Sequence, residues 1–458
     1  MAAGLLAGCA KTECSKPVQI EGAVFGGRTD DVIAAEVKFD TDWITRADNT
    51  KYNSDLAAFS ALLSADSYFR EKDLAKGTQN RVLFADPAEE YDWTSFLKAV
   101  GFTDVKHIES YKEKEYSADG NDSVTMTLGY RNVDGKYDSF AVVFRGCFSA
   151  QEWVSTFDPG SDSAAYTELT GEHSEWTDTA HFKGLDIAAN RAGEFIRDFI
   201  AEHDDPGRQN CILFTGHSRG GSLANMIGAD FEKNSDAKTY TYTFNTMPVT
   251  TDANAGDCRT VFNIFDSGDF YTDPLPFGGE QFFRYGTDKS LSIGDSEKVR
   301  AAVAELKGRD DYACIPGDAE SAYRELFAAR FPDRASLYET ESVTQVFDTE
   351  EEASARLEEC LTLIGAESGL DLGELCTMRD VVKTGDGKYE LTMEYCSAAL
   401  LTSYSKVLAY GDTAYEAVKT LFAEDEAGCS IAELLVTNLP GISAGHLLIN
   451  SYILAGCV

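Results

Sequence analysis

Between residues 124 and 266 the chain repeatedly switches its hydrophobic period, and this alternation constrains its fold more than any other feature. "SVTMTLGYRN" alternates Val124, Met126, Leu128 and Tyr130, the period of a half-buried strand. "SFAVVFRG" is a continuous apolar run, the signature of a strand covered on both faces, and the Val-Asp-Gly-Lys stretch between the two predicts a hairpin turn. "GLDIAANRAGEFIRDFIAEH" then sets Ala192, Phe195, Ile196, Phe199 and Ile200 on one helical face. "NCILF" reads as a buried strand, "SRGGSLANMIGADFEK" as a helix, and "TYTYTFNT" and "TVFNIFD" as two further strands. This rhythm predicts an α/β fold, a mostly parallel sheet flanked by helices.

Where "NCILF" passes into the next helix the sequence reads Gly-His-Ser-Arg-Gly, residues 216–220. The pattern GxSxG is cheap, with about 0.2 matches arising by composition at this glycine content, so its context decides its meaning. Here Ser218 falls between a buried strand and a helix, as a nucleophile elbow requires. Gly216 and Gly220 remove side chains that would collide with the neighbouring strand and helix. The helix N-terminus aims backbone N–H groups at the site, which makes the amide of Arg219 a natural donor to an oxyanion. The Arg219 side chain is expected to point elsewhere, for example into a salt bridge.

A serine hydroxyl needs a base, and the base needs a third group to hold it. With this elbow the order along the chain is Ser, acid, His. Of the six histidines only His446 follows Ser218, so it is nominated as the base. Taken alone, "GHLLINSY" would read as a C-terminal helix with a surface or capping histidine. For the acid, "TVFNIFDSGDFYTDPLP" offers Asp266, Asp269 and Asp273 after a buried strand, and the residues alone do not rank them.

Charge and cysteine content bound the partners. With 40 basic against 77 acidic residues the formal net charge is −37, which repels nucleic acid and anionic headgroups and leaves a neutral or cationic partner. No run of 18 or more apolar residues occurs, so no transmembrane helix is predicted. The opening "MAAGLLAGCAKTEC" resembles the end of a signal peptide, with Leu6-Ala7-Gly8-Cys9 similar to a bacterial lipoprotein box and Cys9 the lipidated residue. A basic n-region is missing, and the alternative is an untargeted apolar N-terminus. Of eleven cysteines ten would then remain, a number compatible with disulfides in an exported protein. Neither CxxC nor HExxH is present, so no metal site is suggested.

Several ordered segments together resemble the class 3 lipase family of the α/β-hydrolase fold, particularly its bacterial secreted members. "AVVFRGCFSAQEWVSTF" is similar to that family's strand followed by Phe-Arg-Gly-Thr/Ser and a downstream Trp, and "HFKGLDIAA" to its His-x-Gly-Phe segment. "FTGHSRGGSLAN" resembles its elbow, "YTFNTMPV" its Tyr-Thr-Phe-Gly-x-Pro strand, and "NIFDSGDFYTDPLP" its Asn-x-x-Asp segment before a Pro-containing loop. The likeness spans roughly 120 to 285 and the neighbourhood of His446. It implies Ser218 as nucleophile, Asp269 as acid, since Asp266 falls where the family has Asn, and His446 as base. It also implies that the backbone amide of Cys147 joins that of Arg219 in the oxyanion hole. Cys147 replaces a hydroxyl residue there, which weakens any contact from the side chain and leaves the amide.

The expected organisation is a lipobox and tether at 1–16, an α/β-hydrolase core with an N-terminal helical extension at 17–289, a helical cap or insertion at 290–435, and a return at 436–458 carrying His446. The patterns "EKVRAAVAELK", "EEEASARLEECLTLIG" and "AYEAVKTLFAEDE" suggest the cap. Within it, "SYSK" (Ser403 to Lys406) matches SxxK and reads as helix surface, because the companion penicillin-binding motifs are absent. Together these readings imply an exported serine hydrolase of carboxylic esters, lipase or esterase, possibly membrane-anchored through Cys9. It would act on a lipid or other ester and would need no cofactor. A phospholipase, acyltransferase or amidase could use the same triad, and a non-catalytic surface lipoprotein could retain the scaffold.

Overall fold

The computed structural model describes residues 14–22, 29–67, 93–109, 124–147, 152, 155–156, 181–267, 269, 271–272, 282–291, 297–307, 312–318, 341–368, 376–395 and 448–458. Its centre is a seven-stranded sheet of β3 (Asp104–Glu109), β4 (Thr125–Val133), β5 (Tyr137–Phe144), β6 (Gln209–His217), β7 (Lys238–Phe244), β8 (Val261–Asp266) and β9 (Thr287–Leu291), hydrogen-bonded in that order. β3, β4 and β5 are antiparallel neighbours, and β5 through β9 are parallel. The expected hairpin joins β4 to β5, with Asp134 and Gly135 both at positive φ (56° and 65°), as a tight turn of matching twist requires.

Helices cover both faces of the sheet, which explains the unbroken apolar runs. On one face lie α2 (Ser54–Asp66), α6 (Glu297–Lys307) and α8 (Leu448–Cys457), packed on Ala141, Val143, Leu213, Tyr242 and Ile264. On the other lie α4 (Lys183–Ala201) and α5 (Arg219–Asn234), packed on Phe140, Val142, Phe144, Ile212 and Phe214. Alternate residues of β5 and β6 thus serve opposite cores, so polar alternation is impossible. The start of α2 follows its sequence signal, since Asn53 Oδ1 accepts from the amides of Asp55 (3.0 Å) and Leu56 (3.1 Å). Two short helices, α1 (Asp42–Thr45) and α3 (Ser95–Ala99), complete the N-terminal part.

Three features differ from the expected organisation. The segment read as a tether runs into β1 (Cys14–Gly22), which pairs antiparallel with β2 (Thr29–Phe39), and β2 pairs with β10 (Tyr312–Asp318). The N-terminal extension is therefore not purely helical, because β1 pairs with its neighbour β2 and β2 with the distant β10, Ile33 opposite Tyr312. The span 290–435, expected as a helical cap, is mixed among its described residues. β11 (Glu341–Phe347), β13 (Tyr389–Tyr395) and β12 (Cys376–Lys383) form an antiparallel sheet in that order, backed by α7 (Glu350–Ser368). α6, within the same span, packs its Val299 and Val303 into the main core. Finally, Cys147, Cys211, Cys258, Cys360 and Cys457 are buried free thiols, so cysteine parity does not translate into general pairing. Cys9, Ser403–Lys406 and "AYEAVKTLFAEDE" lie outside the described residues.

Candidate active site

The carboxyl ends of four adjacent parallel strands deliver Cys147 after β5, Ser218 after β6, Asn245 after β7 and Asp269 after β8. Open α/β sheets place their chemistry at this edge.

Ser218 occupies the sharp turn between β6 and α5 with φ 57° and ψ −129°, a conformation that L-residues with side chains avoid. Its amide donates to Phe244 O at 2.9 Å, and its carbonyl accepts from Ser222 N at 3.0 Å. The turn is this tight because Gly216 and Gly220 carry no side chains. A Cβ on Gly216 would stand 2.3 Å from Gly220 O, and one on Gly220 2.5 Å from Phe144 O. The hydroxyl does not cap the helix it precedes, and among the described residues the buried Ser218 Oγ has no hydrogen-bond partner of normal geometry, with the Tyr271 phenol close enough to act on it. A serine held in such a strained turn is costly as structure and well placed for use as a nucleophile.

Asp269 is 3% exposed, and its carboxylate is oriented on both oxygens. Oδ1 accepts from the amide of Tyr271 at 3.0 Å, and Oδ2 accepts from Asn245 Nδ2 at 2.7 Å. The loop that carries it is closed by Thr272 Oγ1, which donates to Asp266 O (3.1 Å) and Asp269 O (2.9 Å). Arg284 bonds Thr246 O at 2.6 Å and also Thr272 O, clamping the loops after β7 and β8 together. Asp266 ends β8 and its carbonyl accepts from the Asp269 amide at 3.1 Å, while the Asp269 carboxylate reaches Asn245 at the neighbouring strand end. Asp273 and His446 lie outside the described residues. The helix α8, which begins two residues after His446, is tied to the same cluster, because Ser451 Oγ donates to Asn245 Oδ1 at 3.1 Å.

The Arg219 side chain turns under the elbow and is almost fully buried, donating to Thr156 Oγ1 (2.9 Å) and Gly184 O (3.5 Å). Thr156 Oγ1 in turn donates to Glu152 O (2.6 Å) and lies 3.4 Å from Cys147 Sγ. Arg145 and Glu152 form a buried ion pair beside them (3.3 Å). Burial pushes the Cys147 thiol up to about 12 against the opposing pull of Arg219, so it stays neutral at physiological pH. The Arg219 amide opens α5, where the first N–H groups have no carbonyl of their own helix to bond.

Sequence reasoning missed Asn245, Tyr271 and Arg284. The Tyr271 phenol is buried 3.3 Å from Ser222 Oγ. Burial, and secondarily Cys147, drive it far above its ordinary value, while Ser222, Arg219 and Ser218 pull the other way. Only the "DxY" spacing hinted at it, since a carboxylate commonly accepts from the amide two residues on. Among the described residues no group of three or more His, Cys, Asp or Glu is placed to hold a metal ion, and no helix is long and apolar enough to cross a membrane.

Residues 141–271, which run from within β5 through β6, α5, β7 and β8 and include the turn that holds Ser218, match the family described as Lipase (class 3). Among solved structures, the triacylglyceride lipase of Rhizomucor miehei is similar at 17% identity, covering 52% of this chain and 80% of that one, with a TM-score of 0.34. A triacylglycerol lipase from Penicillium expansum is similar at 19% identity over 43% of this chain and 75% of its own, with a TM-score of 0.31. A lipase from Rhizopus microsporus var. chinensis is similar at 14% identity over 52% and 73%, also with a TM-score of 0.31. No curated protein matches the chain.

Proposed function

We propose that the protein is a serine hydrolase of carboxylic esters, a lipase or esterase. The observation that carries the reading is the strained strand-to-helix turn that holds Ser218, with the doubly held Asp269 carboxylate at a nearby strand end.

In this reading His446 takes the proton from Ser218 Oγ as the oxygen attacks the ester carbonyl, and Asp269 holds the imidazole and stabilises its charged form. The amides of Cys147 and Arg219 receive the oxyanion, a task the neutral Cys147 thiol supports only weakly. Collapse of the tetrahedral intermediate expels the alcohol, protonated by His446, and leaves an acyl-serine. Water, deprotonated by His446, then releases the acid and restores Ser218. The docking of α8 through Ser451 supports a base delivered by the segment just before that helix. A lipid on Cys9 would tether the strongly acidic chain to a surface its charge otherwise avoids, and places the enzyme outside the cell.

The test is hydrolysis of p-nitrophenyl esters of graded acyl length, with fluorophosphonate labelling of wild type, Ser218→Ala and His446→Ala, each checked for folding by circular dichroism. Loss of turnover in both variants is expected, with labelling lost in Ser218→Ala. Folded wild type that neither labels nor turns over any ester overturns the reading. Labelling with amide turnover alone redirects it to an amidase.

A further inference from the structure

Asn245 links the Asp269 loop to helix α8 and follows directly on the residue that holds the Ser218 amide. It follows β7 with φ 49°, a left-handed conformation that asparagine tolerates better than other residues with side chains, and it is fully buried. Its amide donates to Ile264 O of β8 at 2.9 Å, and the preceding carbonyl, Phe244 O, receives the amide of Ser218. Its side chain spans from the Asp269 carboxylate (2.7 Å) to the Ser451 hydroxyl (3.1 Å).

Chemistry settles which way the carboxamide faces. An ionised carboxylate only accepts, so the group facing Asp269 Oδ2 is the NH2, and this leaves the carbonyl for Ser451, whose hydroxyl can donate. In "YTFNTMPV" Asn245 stands where the Tyr-Thr-Phe-Gly-x-Pro pattern has glycine. Glycine would meet the backbone demand alone, so the asparagine side chain is an addition with its own consequence.

We infer that Asn245 is a positioning residue that orients the Asp269 carboxylate and couples it to the helix following His446; this rests on the reading of Asp269 and His446 as acid and base. Asp269 must present one oxygen to the base in a fixed direction. The Tyr271 amide holds Oδ1 from within the loop, and Asn245 holds Oδ2 from the adjacent strand end. The Asn245 N–H also offsets part of the carboxylate charge that would otherwise act on the imidazolium. Removing it strengthens that charge and raises the pKa of the base, so the acid limb of the pH profile moves to higher pH. Among the described residues the charged groups bonded to these loops include Arg284, Asp266 and Asp288, and the variants leave all three in place.

The decisive variant is Asn245→Gly, which keeps the left-handed backbone and removes only the carboxamide. Turnover is normalised to active sites by fluorophosphonate titration. kcat should fall about 10- to 100-fold, the usual cost of losing a group that orients a reacting one, with KM within about twofold. The acid limb of kcat/KM should move upward in pH. Ser451→Ala should move the limb the same way by less, and it decides the matter if Asn245→Gly does not fold. An active wild type with an unshifted limb in the folded variant overturns the inference and leaves the hydrolase reading standing, and so does a fall in kcat without a limb shift. A wild type that neither labels nor turns over overturns the hydrolase reading, and this inference falls with it.

Discussion

Arg219 Nη1 donates to Thr156 Oγ1 at 2.9 Å, and the same hydroxyl oxygen lies 3.4 Å from Cys147 Sγ, so one buried guanidinium links the Ser218 turn to the Cys147 segment, the two proposed sources of the oxyanion amides. Arg219→Met should leave Thr156 without its charged donor. A drop in stability of about 2 kcal/mol, read as a lower Tm, is expected, with a fall in kcat as the Cys147 segment loses its tie. Arg219→Lys should not restore either property, because a point charge cannot reach both Thr156 and Gly184 O as the planar fork does. Unchanged Tm in Arg219→Met would mean that burying the cation costs as much as its bonds return.

Gly216 and Gly220 leave no room for relief, since the obstructing atoms at 2.3 Å and 2.5 Å are backbone carbonyls, not the tips of flexible side chains. Alanine at either position should cost more than about 3 kcal/mol. Soluble yield, Tm and fluorophosphonate labelling should all fall together. Alanine in place of Gly385, which has nothing within 4 Å, should change none of them.

The order of strands and helices around Ser218 was legible because β5 and β6 are buried on both faces and α4 and α5 are amphipathic. The elbow was legible because Gly216 is dictated by a contact with Gly220 four residues on and the pattern itself carries both glycines, although the contact that requires Gly220 is with Phe144 on the neighbouring strand. The residues alone did not rank Asp266, Asp269 and Asp273, because the contact of Asp269 with Asn245 depends on a turn closed by Thr272 that the local sequence does not announce. Asn245 was illegible for a related reason, as its meaning lies in a partner 24 residues away and a second one 206 away. The β11–β13 sheet did carry a signal: "YELTMEY" alternates Tyr389, Leu391, Met393 and Tyr395, and Leu391 and Met393 are buried. The strong helical pattern of α7 beside it masked that alternation.

Alkali should destabilise the fold through buried acids that must stay neutral. Burial raises Cys147 to about 12, Cys211 and Cys258 to about 11 and Tyr242 to about 12, and it raises Tyr52, Tyr240 and Tyr271 as well. For each, the folded state keeps a proton that the unfolded chain has already released once pH exceeds the ordinary thiol or phenol value. Stability is therefore complete below about pH 9 and declines as pH rises from there through 11 to 12. A Tm series from pH 7 to 11 checks this, with a flat profile as the contrary result. In the same range Cys147 should resist iodoacetamide in the native protein and react once it is unfolded.

Asn225 fixes the far side of the nucleophile helix through its whole carboxamide. Nδ2 donates to Asn263 Oδ1 and Tyr285 O, both at 2.8 Å, and Oδ1 accepts from Tyr285 N at 3.0 Å. Asn225→Leu keeps the volume and strands the Tyr285 amide, so a loss of about 2 to 4 kcal/mol is expected. Asn225→Asp separates hydrogen bonding from packing. Its ionised carboxylate would face two acceptor oxygens, which raises its folded pKa above the unfolded value. The variant should therefore approach wild-type stability below about pH 4, where the carboxyl can donate, and lose it as pH rises through the folded pKa. The Tm gap of Asn225→Asp to wild type should widen between pH 4 and 8 while that of Asn225→Leu stays constant. Parallel gaps for the two variants would show that shape, and not the direction of the hydrogen bonds, is what this position supplies.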